Sequence, residues 1–288
     1  MVSLDARAAT FNDEASYWYN RQVGIRAIHT NRKEALRAFL LAEEKGDALN
    51  LNNETLYYNI GHCLSDMGFA SRAVEYLLKS QDLAEKSGNT SFSVYTRYFL
   101  AENYSNVGRH EEALKILKGC LRDEKKVKSA KVTIGLIYKR IARVCFNTQD
   151  YRSALENIDL AFNYIDRHLD AYANITYVKA NILIAMGSEE KAMACLNDGI
   201  ALQEEGETEH IILTGRKHLM TLEEEASRQY ITTIALPAFE AQCLFLLAID
   251  FYEVLCRHYE MHNKRKVWPY YKRIYELNSM LRKGDIPL

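Results

Sequence analysis

His258 and His262 stand four residues apart in the segment HYEMH, so both imidazoles fall on one face of a helix, a spacing that can hold a metal ion. The order of residues is not the metalloprotease arrangement, and the sequence offers no evident third ligand, so they read as surface histidines and no metal is expected. There is no Gly-rich phosphate loop and no nucleophile elbow. Neither an enzyme nor a bound cofactor is expected. The side chains that remain suit recognition. Lys139, Arg140 and Arg143 make a cationic group fitted to a carboxylate, which arginine can grip with two parallel hydrogen bonds. Asn59, His62 and Asp66 lie three and four residues apart and share a helical stripe, as do Arg143 and Asn147. An asparagine amide both donates and accepts, so it can pair with the N–H and C=O of an extended backbone.

Helices must position these groups. Three prolines among 288 residues, with glycines mostly at helix ends, make an all-α composition, and 48% hydrophobic residues suffice for a large core. With 37 basic and 38 acidic side chains the net charge is −1, which argues against a broad nucleic-acid-binding face. The six cysteines form no C-x-x-C pair and fall among apolar helical positions, as buried thiols of a reducing compartment do. No stretch approaches the roughly 20 apolar residues of a membrane span, and the N-terminus lacks the apolar core of a secretion signal. A cytoplasmic protein without membrane contact is expected.

A small residue closes a helix-hairpin pattern at Ala35, Ala73, Ala113, Ala154 and Ala192, at intervals of 38, 40, 41 and 38 residues, with Val267 as a degraded sixth. A fixed period of this size marks a solenoid, in which no unit buries its apolar face alone. The clearest unit, residues 54–87, carries Tyr57, Ile60, Gly61 and Leu64 on one helix, a break at Gly68, then Ala73, Leu77 and Ser80 on the next. It resembles the tetratricopeptide repeat. The resemblance implies an all-α, right-handed superhelical solenoid of helix hairpins. One domain over residues 11–288 is expected after a tail at 1–10. Regular repeats would fill about 15–205, and an irregular pair with a C-terminal cap about 206–288. Residues 45–53 and 122–131 read as connectors, and Pro237 as the divider before a long apolar helix over 241–261.

The repeat length near 40 residues, the segment ALPAFEA followed by LLAIDFYEVLCRHYE, and the ending VWPYYKRIYELNSMLRKGD are similar to one group of tetratricopeptide proteins. These are the intracellular receptors for secreted signalling peptides of Gram-positive bacteria, the Rap, NprR and PlcR group. The resemblance implies a receptor for a short linear signalling peptide in quorum sensing and transcription regulation. Relatives begin with a DNA-binding or a phosphatase-type helical domain, for which a first repeat starting near residue 11 leaves no room. The chain therefore reads as a sensor domain, touching DNA only through a domain absent from it, with a homodimer supported by the terminal aromatics. A general interaction scaffold and a response-regulator phosphatase are the alternatives.

In such solenoids the first helix of each pair lines the concave face. By that register the peptide-binding candidates are Asn20 in the first unit, beside Tyr17 and Arg21. They continue with Tyr58, Asn59, His62 and Asp66 in the second and Tyr98, Glu102 and Asn106 in the third. Lys139, Arg140, Arg143 and Asn147 follow in the fourth, then Tyr177 and Asn181 in the fifth. The resemblance assigns the peptide backbone to Asn59, Asn106, Asn147 and Asn181. The cationic group would take a C-terminal carboxylate, and Asp66 and Glu102 a basic group.

Overall fold

The computed structural model describes residues 12–28, 30–124 and 131–287. The expected tail at 1–10 and part of the 122–131 connector lie outside them. Among the described residues the regular structure is helical throughout: α1 (Asp13–Ala27), α2 (Arg32–Leu49), α3 (Glu54–Asp66), α4 (Ala70–Lys86), α5 (Thr90–Asn106), α6 (His110–Glu124), α7 (Lys131–Asn147) and α8 (Tyr151–Phe162). They continue with α9 (Asp170–Ala185), α10 (Glu189–Ile200), α11 (Thr208–Leu219), α12 (Glu225–Tyr230), α13 (Leu236–Ala241), α14 (Phe245–His262) and α15 (Trp268–Lys283).

Short polar side chains start many of these helices. The Asn12, Asn31, Asn53 and Asn89 side chains accept the backbone N–H three residues on, at 2.8, 3.1, 3.1 and 3.2 Å. Each satisfies a donor the first turn leaves open. Asp150 does the same for Ser153, which holds its carboxyl below the usual range. Turns end the first helices of pairs. Gly68, Gly108 and Gly187 take φ of +88°, +84° and +73°, a region open to glycine, and Gln149 takes +63° where that turn has none.

The chain forms two compact units. One comprises residues 1–107, 242–246 and 277–288, the other 108–241 and 247–276. In the first, α1 packs on α2 and α3 on α4. The second helix of each pair also packs on the first helix of the next, and α3 touches α5 directly. Residues 242–246 join this unit at the Gly68 turn, where Phe69 meets Phe245 edge-on at 6.4 Å. In the second unit α7 pairs with α8 and α9 with α10, and the first helices α7, α9 and α11 also touch in succession. Its core includes Ala173, Ala180, Leu196 and Leu213.

The five repeat-marking alanines are all completely buried, Ala35, Ala73, Ala113, Ala154 and Ala192 at 0% exposure. Ala73 lies where α4 packs on Gly61 of α3. At Gly61 the approach is close, since a Cβ there would lie 2.7 Å from Leu77 Cγ and 3.4 Å from the Ala73 carbonyl oxygen. Val267 is no sixth equivalent. It ends a 3-10 turn over Lys264–Lys266, half-buried.

The structure corrects three boundaries. α2 runs on to Leu49, so most of the connector expected at 45–53 is helix. Pro237 divides nothing, because the helix passes through it after a π-helical stretch, Ile231–Ala235. The wider turn lets the Leu236 N–H reach the Ile231 carbonyl, and proline has no N–H to satisfy. The true break is at Cys243, with φ of +57°, and the long apolar helix starts at Phe245. All six cysteines are free thiols, five buried and Cys195 half-buried.

Substituting Gly61→Ala is expected to destabilise the protein by about 1–3 kcal/mol, because the new methyl group must displace the fully buried Leu77. Urea unfolding measures it. Unchanged stability would show that the α3–α4 contact tolerates a wider spacing.

Candidate functional site

The closeness of paired helices dictates which side chains are left over. The first helices α3, α5, α7, α9 and α11 each carry a small buried residue, at Gly61, Ala101, Ala142, Ala180 and Gly215, and Gly61 lies against the partner helix α4. The residue after each is less buried: His62, Glu102, Arg143, Asn181 and Arg216. Arg143 is exposed and the other four are half-buried. The pattern continues past the fifth repeat into α11, where Gly215 fits against Phe251 with room for no Cβ, at 2.9 Å.

In the first unit the candidates form an aromatic surface with one occupied carboxylate. Tyr58 meets Phe92 and Phe99 edge-on at 5.1 and 5.6 Å, and the His62 ring lies 4.5 Å from that of Phe99. Asp66 already has partners within the protein, Arg32 Nε at 3.1 Å and His62 at 3.6 Å. Asn59 is buried to 9% exposure and Tyr98 to 5%. Glu102 is half-buried and Asn106 is exposed at the end of α5. Asn20 spends its amide on its own helix, donating to the Ser16 carbonyl at 2.8 Å. Tyr17, expected beside it, is instead fully buried, its hydroxyl donating to the Leu51 carbonyl at 2.6 Å. Arg21 is buried above the Tyr17 and Trp18 rings. A residue not anticipated joins α3 to α5: Asn103, completely buried, donates to Ser65 Oγ at 2.6 Å and to the Phe99 carbonyl at 2.9 Å.

In the second unit the expected cationic group breaks up. Lys139 and Arg140 are buried, at 9% and 6% exposure, while Arg143 and Asn147 stand exposed one turn apart on α7. The reason is the crowding of α7, which packs against α6, α8 and α9 and keeps only a narrow stripe open. On α9, Asn181 donates to the Tyr177 hydroxyl, and burial pushes that phenol up to about 12. Both are half-buried.

Arg143 and Tyr177 belong to a charged cluster whose other members lie beyond the fifth repeat. Asp250 on α14 is open to solvent yet hemmed in by protein, and its carboxyl is pushed up to about 6. Desolvation is the main cause, helped by Glu253 and opposed by Arg143, Arg216 and Arg257. The same crowding lowers the Arg216 guanidinium, while Tyr177 and Asp250 support its charge. The charges of Arg143, Arg216 and Arg257 thus all act on Asp250, and those of Arg143, Arg216 and Asp250 also on Tyr177. Reading the small-residue register one helix further would have found Arg216; Asp250 and Arg257, on α14, had no repeat to mark them.

The tetratricopeptide repeat model matches residues 54–87 and 173–205. No curated protein matches the sequence. Among solved structures, NprR in complex with its cognate peptide NprX is similar over 96% of this chain and 80% of its own, at 16% identity and a TM-score of 0.86. A Rap protein complexed with competence and sporulation factor is similar over 97% and 79%, at 15% identity and a TM-score of 0.84. The Rap conjugation gene regulator of plasmid pLS20, in complex with the Phr* peptide, follows over 98% and 80%, at 16% identity and a TM-score of 0.79. The chain thus has the all-α, tetratricopeptide-type fold of the Rap and NprR proteins.

Asp250 is expected to take up its proton as pH falls through about 6, above the ordinary range of an aspartate. Side-chain carbonyl shifts in an NMR titration report this directly. Titration at or below pH 4 would show that the three arginines outweigh desolvation.

Proposed function

We propose that the protein is a receptor for a short linear signalling peptide, held by the exposed stripes of its first helices. The observation that carries the reading is in the second unit, where the charges of Arg143, Arg216 and Arg257 act on an Asp250 that ionises reluctantly. A peptide carboxylate there would gain charge-assisted hydrogen bonds from groups whose own counter-ion is poor. Asn147 and Asn181 would pair with the peptide backbone and Tyr177 would flank its side chains. Taken by itself, the first unit offers an aromatic patch of Tyr58, His62 and Phe99 beside Asn59, Tyr98, Glu102 and Asn106. Of the candidates, Asn20 and Asp66 already bond within the protein, and Asn59, Tyr98, Lys139 and Arg140 are all buried to 9% exposure or less.

Two observations support a peptide over a small metabolite. Within the second unit the open side chains recur along successive helices at repeat spacing, as an extended ligand requires, and the NprR and plasmid pLS20 Rap structures that share the fold are complexes with peptides. Peptide binding would act as a cytoplasmic signal that changes how the repeats pack, and so control transcription through a DNA-binding domain or a partner protein, with a homodimer as the working form. No helix among the described residues is long and apolar enough to cross a membrane. The reading involves no catalysis.

Calorimetric titration with a synthetic library of short peptides, each with a free or an amidated C-terminus, tests it. Free-acid peptides are expected to bind the more tightly, and Arg143→Ala and Asn181→Ala each to weaken the best binder by about 1–3 kcal/mol. Equal affinity of the two termini together with unchanged affinity in both variants would overturn the assignment. The pH dependence has a definite sign. Protonated Asp250 no longer competes for the arginines, so affinity for a free-acid peptide should rise as pH falls from 7 through about 6. A fall over that range would contradict the role given to Asp250.

A further inference from the structure

The histidine pair on α14 acquires in three dimensions the partner that its spacing alone did not supply. Glu223, in the turn between α11 and α12, brings Oε1 to 3.2 Å from His262 Nε2 and 3.8 Å from His258 Nδ1. One ligand atom from each of the three residues lies within 4.8 Å of the others. We propose that Glu223, His258 and His262 form a zinc-binding site.

Two of the three ligand separations can be set against those of a zinc centre. Zinc takes imidazole nitrogen at about 2.0–2.1 Å and carboxylate oxygen at about 2.0–2.2 Å in a tetrahedral shell, which sets ligand atoms about 3.3–3.5 Å apart. The two measured separations straddle that value. Two histidines and one glutamate are a donor set that zinc favours, and a three-residue site leaves the fourth position to water. The four-residue spacing turns both rings to one side of α14, with centroids 4.6 Å apart. His258 is held by its burial, its side chain 8% exposed, whereas His262 and Glu223 are open at 47% and 77%. An ion therefore has both a rigid anchor and a route in.

The turn that carries Glu223 is itself braced. Arg228 Nη1 donates to the Leu222 and Glu223 carbonyls at 2.5 and 2.8 Å, while its other nitrogen pairs with Glu225. Ser227 Oγ meets Thr221 Oγ1 at 2.8 Å and His218 Nδ1 at 2.9 Å across the same turn. This bracing fixes the backbone beside α14 without using the Glu223 carboxylate, which leaves the carboxylate for the ion. Bound zinc would tie the turn after α11 to α14, a contact within the second unit. This site does not depend on the peptide reading.

Zinc chloride titrated into the full chain, free of any histidine tag and in competition with a chromophoric chelator, tests the site. One equivalent of zinc is expected to bind, and His262→Ala and Glu223→Gln, both at exposed positions, are each expected to weaken it more than about 10-fold, since loss of even an outer partner costs 10–100-fold. Zinc should raise the melting temperature of the unaltered chain and not that of the variants, and cobalt in its place should give the visible bands of a tetrahedral ion. Absence of stoichiometric zinc, or equal affinity in the unaltered chain and both folded variants, would overturn the proposal.

Discussion

The close approach of paired helices at small residues is the constraint on which the rest of the structure depends. Where Gly61 meets Leu77 and Ala73, there is no space for one further carbon atom. Ala35, Ala113, Ala154 and Ala192 are shut in as completely. Packing this tight fixes the rotation of each helix about its own axis, because a turn of one residue would drive a larger side chain into the contact. Rotation, once fixed, decides what faces outward. His62, Glu102, Arg143, Asn181 and Arg216 are outward because the residue before each of them is inward.

The same crowding limits how much surface is left for a ligand. A first helix in the interior of a unit touches its own partner, the preceding second helix and the first helices beside it. About one residue per turn remains open, and long charged side chains next to that stripe lay their stems on the core. Lys139 and Arg140 are such residues. The arginine field of the second unit is accordingly assembled across helices, from Arg143, Arg216 and Arg257, rather than along one. Asp250 in its midst is crowded enough to ionise reluctantly and open enough to meet a ligand, which makes the cluster responsive to charge.

Helix pairing was legible in the sequence because it obeys a local rule. The spacing of Ala35, Ala73, Ala113, Ala154 and Ala192, and the glycines at 68, 108 and 187, mark hairpins whatever the remaining residues do. Parts that depend on three-dimensional neighbours were not legible. Tyr17 has the amphipathic look of a binding residue, yet its hydroxyl finds the Leu51 carbonyl and the ring is sealed in. Asp66 reads as a free carboxylate until Arg32, on another helix, takes it. Pro237 has every mark of a break, and only the π turn before it shows why the helix survives. Glu223 and the two histidines are far apart in sequence, and no local pattern links them.

The central claim is that the open stripes of α7, α9 and α11, with α14, form the surface on which a peptide is held. Amide hydrogen exchange of the full chain, with and without a bound short peptide, tests it most directly. The account predicts that protection rises in the segments carrying Arg143, Tyr177, Asn181 and Arg216. Protection confined to the second helices α8 and α10, with those segments unchanged, would contradict it.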